Sequence, residues 1–71
     1  MSIIQFPPNM RTPEAARYLG VSESLLEKLR VAGDGPLYSK IGRAVLYRKA
    51  SLDSWIVEQE RRHTSGPSKA A

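Results

Sequence analysis

The sequence predicts a mainly α fold with a small β-hairpin, in the order helix, tight turn, helix, two-stranded wing, C-terminal helix. Two helical patterns, residues 12–19 and 22–30, are separated by little more than Gly20-Val21. Two β-type runs follow, joined through Gly42-Arg43. Beyond them Leu52, Trp55, Ile56 and Gln59 recur at i, i+3, i+4 and i+7, the spacing of one helix face.

Residues 1–10 contain Pro7-Pro8 and little helical pattern, so an extended N-terminal arm is expected there. The first helix is predicted to open with Thr12 as N-cap, Pro13 at the first helical position and Glu14 in the first turn. Proline lacks the N–H that would go unbonded there, and the Glu charge complements the positive helix end. Ala15, Ala16 and Leu19 make its inner face, and Gly20 ends it in a left-handed conformation. Ser22 is the next N-cap; its helix runs through Arg30 and stops near Gly33, ahead of an Asp34-Gly35-Pro36 turn. The hairpin strands are expected over residues 38–41 and 44–47. The third helix is expected to begin at Ala50 or Ser51 and to bury Leu52, Trp55 and Ile56. A domain over residues 11–62 is thus followed by a small, polar tail over 63–71 that reads as disordered.

Composition narrows the chemistry. The 71 residues suffice for one domain, near the lower limit for a core without disulfides or metal. With no Cys, disulfides, thiolate catalysis and Cys-ligated zinc are all excluded, and the single His63 cannot build a multi-histidine site. No apolar run approaches a membrane span and no signal-peptide pattern opens the chain, so a cytoplasmic protein without membrane contact is expected. No phosphate-binding Gly loop or carboxylate pair with a pocket is evident. An enzyme is therefore not expected, nor is any cofactor.

The functional signal lies in the spacing of the first two helices. Small Ala16 is followed by Gly20, Val21, Leu26 and Leu29, the set that a helix-turn-helix needs. The close crossing requires a small residue, the turn a Gly, and the second helix apolar residues phased onto the first. Its N-terminal part is then free to enter a DNA major groove. The outward positions are Ser22, Glu23, Ser24, Glu27 and Lys28. The Ser hydroxyls and Lys28 can reach phosphate or a base edge. Glu23 can accept from cytosine N4 or pair with Lys28, and Glu27 reads as a solvated charge or a partner for Arg30. Leu25 reads as a core-edge residue.

The net charge is +4, and the stretch between Gly35 and Leu52 accounts for it: Lys40, Arg43, Arg48 and Lys49, with no acid among them. Edge protection alone does not require one sign of charge, so these four are expected at phosphates and a minor groove. Thr12 and Arg17 on the first helix, and Arg11 before it, add weaker candidates. Trp55, Tyr38 and Tyr47 could form a stacking platform for single strands, but Trp55 falls on an inner stripe and packing is the expected role of all three.

The run Thr12-Pro13-Glu14-Ala15-Ala16-Arg17-Tyr18-Leu19-Gly20-Val21-Ser22 resembles the opening of excisionase-family domains. That family includes AlpA-like phage regulators, within the MerR-like winged helix-turn-helix group. Gly33-Asp34-Gly35-Pro36, Lys40-Ile41-Gly42-Arg43, Val45-Leu46-Tyr47-Arg48 and Leu52-Asp53-Ser54-Trp55-Ile56 extend the resemblance over roughly residues 10–60. It implies a second helix in the major groove, a wing in the neighbouring minor groove, and several copies on adjacent sites that bend DNA. It also implies a role as a recombination directionality factor beside a site-specific integrase, or as a small transcriptional regulator through the same surface. A protein-interaction adaptor is the remaining alternative. MerR regulators carry a long dimerisation helix and an effector domain; neither is seen here, so no small-molecule effector is expected.

Overall fold

The computed structural model describes residues 5–63. Its elements are β1 (Asn9–Met10), α1 (Thr12–Leu19), α2 (Glu23–Ala32), β2 (Ser39–Ile41), β3 (Ala44–Arg48) and α3 (Lys49–His63). This is a winged helix-turn-helix, three helices with a small antiparallel sheet, and local chemistry accounts for most of its boundaries. Gly20 adopts φ 76°, and its N–H bonds the Arg17 carbonyl while that of Val21 bonds Ala16. Two otherwise orphaned carbonyls are thereby satisfied and the chain reverses within one residue, which a Cβ at this φ would oppose. Gly33 and Asp34 close α2 with the same pair of bonds, to Arg30 and Leu29.

The Ser22 hydroxyl accepts from the Leu25 amide at 3.0 Å and caps α2. At α1 the expected Thr12 cap is corrected. Arg11 is the N-cap, in extended conformation and with no side-chain hydrogen bond, and Thr12 is already helical. The Ala15 amide reaches the Arg11 carbonyl at 2.9 Å, so the first helical bond begins one residue earlier than the Thr12 hydroxyl suggested.

The expected two-stranded wing gains a third strand. The sheet order is β1-β3-β2, with Met10 opposite Tyr47, Asn9 opposite Arg48, and Lys40 opposite Val45. The arm is thus drawn into the fold at its end, because Met10 is fully buried and the Lys49 amide bonds the Pro8 carbonyl at 2.8 Å. Residues 1–4 of the expected arm and 64–71 of the expected tail lie outside the described residues, while His63 closes α3 with its Nδ1 3.0 Å from the Gln59 carbonyl. In the hairpin turn Gly42 has φ 61° at the first central position, where a type II′ turn takes Gly.

The core is Met10, Ala15, Ala16, Leu26, Tyr47 and Leu52, one or two residues from each element except β2. Ala15 and Ala16 keep α1 thin where it meets α2, β3 and α3. The third helix starts at Lys49, directly after β3, and only Leu52 is fully buried; Trp55 and Ile56, expected inside, are half-buried. The Trp55 Nε1–H donates to the Asp34 carbonyl at 3.0 Å and ties α3 to the end of α2.

A second tie joins α1 to α3. The Tyr18 hydroxyl donates to the Asp53 carboxylate, and Phe6 stands edge-on to the Tyr18 ring at 5.0 Å. That hydrogen bond, then burial and the Asp53 charge, hold the Tyr18 hydroxyl above the usual tyrosine range. The neutral phenol is the donor, so its stabilisation is complete below the unfolded-state pKa of about 10 and is lost as pH rises through the higher folded value. Wild-type protein is therefore expected to lose melting temperature faster than Tyr18→Phe above about pH 10. Parallel curves would show that the bond contributes nothing.

Candidate nucleic-acid interface

The free surface of α2 follows from its packing. With Leu26 fully buried, the 100° step of an α-helix puts Ser24, Lys28 and Val31 on the opposite side, within an arc of about 60°. Ser24, Glu27, Lys28, Val31 and Ala32 line one shallow groove there. Ser22, Glu23, Ser24, Glu27 and Lys28 are all exposed, but they are not equivalent. The Ser22 oxygen is engaged by capping. Glu23 stands roughly 140° from Lys28 around the helix, so the ion pair considered for them is not formed on a shared face. Leu25, expected at the core edge, is 43% exposed.

Arg30 does not pair with Glu27. Its Nη1 donates to the Tyr47 hydroxyl at 3.3 Å, and its guanidinium lies 5.9 Å from the Tyr38 ring centre. The hydrogen bond raises the Arg30 pKa; burial opposes this, and the Glu27 charge adds only a smaller, electrostatic contribution. Tyr38 and Tyr47 lie ring to ring at 6.0 Å, Tyr47 buried and Tyr38 half exposed. The Arg30–Tyr47–Tyr38 stack thus fixes the C-terminal half of α2 against the wing. Sequence reasoning missed it, since its members are 17 residues apart at the hydrogen bond. Tyr47→Phe keeps the ring and removes the acceptor. Its expected effect is a loss of about 0.5–1 kcal/mol in a denaturant titration with an unchanged m-value; a loss of several kcal/mol would mean that the ring packing itself had failed.

The four basic wing residues fall into two groups. Lys40 and Arg43 are exposed at the tip, on either side of Ile41-Gly42. Arg48 and Lys49 are exposed at the base, five residues further along, which is about 16 Å of extended chain from Arg43. There they line a depression with Pro8, Asn9 and Asp53, a carboxylate that the acid-free stretch of sequence did not include. On α1, Arg17 is exposed in the last turn, whereas Thr12 is half-buried. Val31, which sequence reasoning left off the surface, is 84% exposed at the centre of the α2 face. Its spacing of seven from Ser24 was the available signal.

A helix pair closed by a glycine turn, with the outer face of the second helix free and a basic hairpin clamped beside it, defines a winged helix-turn-helix DNA-binding domain. Residues 10–60 match the model of the family described as helix-turn-helix domain, and the chain belongs to that family. No curated protein matches the chain. The match begins at Met10, the buried strand residue, and double-stranded DNA bound sequence-specifically is the partner that family membership carries. Among the described residues, no helix is long and apolar enough to cross a membrane, and no group of His, Cys, Asp and Glu could hold a metal ion.

Proposed function

We propose that the chain is an excisionase-like recombination directionality factor, acting in the cytoplasm on nucleoid DNA. Copies bind adjacent sites cooperatively, bend the duplex and promote integrase-mediated excision of a mobile element. In this reading α2 enters the major groove through Ser22, Glu23, Ser24, Glu27 and Lys28. Lys40 and Arg43 reach phosphates along the neighbouring minor groove, Arg48 and Lys49 hold phosphates at the wing base, and Arg17 and Thr12 add contacts from α1.

The carrying observation is the division of charge. Two carboxylates, Glu23 and Glu27, stand along one side of the exposed face of α2, whereas the wing tip presents only cations. Affinity must then come largely from the wing, and a single copy has few base contacts from which to gain specificity. Repeated sites and contacts between copies supply the remainder, and a duplex gripped in two adjacent grooves is readily bent.

Footprinting across the protein's own genomic locus, a bending assay on the protected fragment, and excision by the neighbouring integrase with and without the protein test this together. Several adjacent protected sites, a bend and stimulated excision are expected. Protection and bending with unchanged excision would move the role to promoter control. Absence of protection would leave the adaptor reading.

A further inference from the structure

The outer face of α2 carries enough detail to name bases. We infer that Glu27 and Lys28 read the two edges of a single G·C base pair, and that Val31 packs on the methyl group of a neighbouring thymine. The inference rests on α2 lying in the major groove, as proposed above.

Three features carry it. Ser24 and Val31 mark the midline of the exposed face, seven residues and therefore about 10.5 Å apart along the axis, roughly three base-pair steps. Glu27 and Lys28 lie midway, consecutive in sequence and about 50° to either side of that midline. Two side chains so placed face the two bases of one pair. A carboxylate accepts only, and the groove offers it a donor at cytosine N4; an ammonium donates only, and guanine O6 and N7 are acceptors. An A·T pair also offers a donor, at adenine N6, but gives the ammonium a single acceptor at thymine O4 beside the methyl; a G·C pair, with two acceptors on guanine, suits both side chains better, and adjacent opposite charges relieve the cost of bringing a carboxylate toward phosphate.

Val31 is 84% exposed on the same line as Ser24, with Ala32 beside it in the groove. A large β-branched residue gains nothing there from its own fold. In a major groove the apolar partner on offer is the thymine methyl.

Atomic substitution in the duplex tests the assignment. The optimal site is selected from random duplexes with the intact chain, and each selected C is replaced in turn by N4-methylcytosine, whose methyl occupies the groove-side N–H. The paired G is replaced by 7-deazaguanine and each T by deoxyuracil. One G·C pair is expected at which methylation lowers affinity about five- to tenfold. In Glu27→Ala that penalty shrinks to within twofold, while overall affinity for unrelated duplex rises. Lys28→Ala is expected to abolish the 7-deaza penalty, and Val31→Ala the penalty of one T-to-U change. All three residues are exposed, so the variants keep the wild-type melting temperature. A methylation penalty that persists in Glu27→Ala, or selected sites without a G·C pair, overturns the inference and leaves the docking of α2 intact. Failure to select any preferred duplex overturns both.

Discussion

Lys40→Ala with Arg43→Ala is expected to lower duplex affinity about 60-fold at 0.1 M monovalent salt and about 20-fold at 0.2 M. Each phosphate-bound cation contributes a factor that varies as salt to the power of about −0.9 and vanishes near 1 M. That factor is about eightfold at 0.1 M and fourfold at 0.2 M, and two contacts multiply. If four phosphates are neutralised per copy, the slope of log K against log salt falls from roughly −3.6 to −1.8. Lys40 is exposed on β2 and Arg43 in the turn, and neither belongs to the core, so folding is unaffected. The measurement is a salt titration of duplex binding by anisotropy. An unchanged slope would free the tip from phosphate contact and place the affinity at Arg48, Lys49 and Arg17. A lower slope with unchanged selectivity between sites would separate the wing, which grips, from α2, which reads.

What was legible in the sequence is what is determined locally. Gly20, Ser22, Gly33 and Gly42 end or open elements through their own backbone preferences, so single residues predicted the helix-turn-helix and the turn of the wing. Met10 was not legible, because a two-residue strand has no period and its burial depends on Tyr47, 37 positions later. Trp55 was half legible. Its phase was right, but the turn at Asp34 draws its N–H to the rim, and so small a domain leaves the distal half of α3 uncovered.

The interface divides in the same way. Charge and exposure of the candidate residues follow from helical phase and from the acid-free stretch, so all of them lie on the surface except half-buried Thr12. Their grouping does not follow. The separation of Lys40 and Arg43 from Arg48 and Lys49 depends on strand length, and Asp53 joins the latter pair only through the start of α3 against β3. Arg30 was read as a helix-surface charge beside Glu27; the wing folding back onto α2 converts it into a clamp on Tyr47. Tertiary contact, not propensity, decided each of these.

Leu26→Ala is expected to remove a large share of the domain's stability. Leu26 is fully buried at the centre of the α1–α2 contact, together with Ala15 and Ala16. Truncating such a leucine costs about 2–5 kcal/mol, through lost transfer energy and the cavity left behind. At 0.05–0.15 kcal/mol per residue, a 71-residue chain has only about 4–11 kcal/mol in total. Each kcal/mol is worth roughly 4–8 °C of melting temperature at this size, so a fall of about 8 °C at the least is expected. Leu37→Ala is the control, since Leu37 is 78% exposed and its truncation should change stability by less than about 0.5 kcal/mol. Calorimetry on both variants checks this, and binding distinguishes the failure from that of the wing. Leu26→Ala should lose DNA binding in step with helicity, because α2 has no other fully buried anchor, and saturating duplex should restore part of both. The wing variant should lose binding with helicity intact. A Leu26→Ala protein that keeps its melting temperature would mean that Arg30 and the wing, not the α1 contact, hold α2 in place.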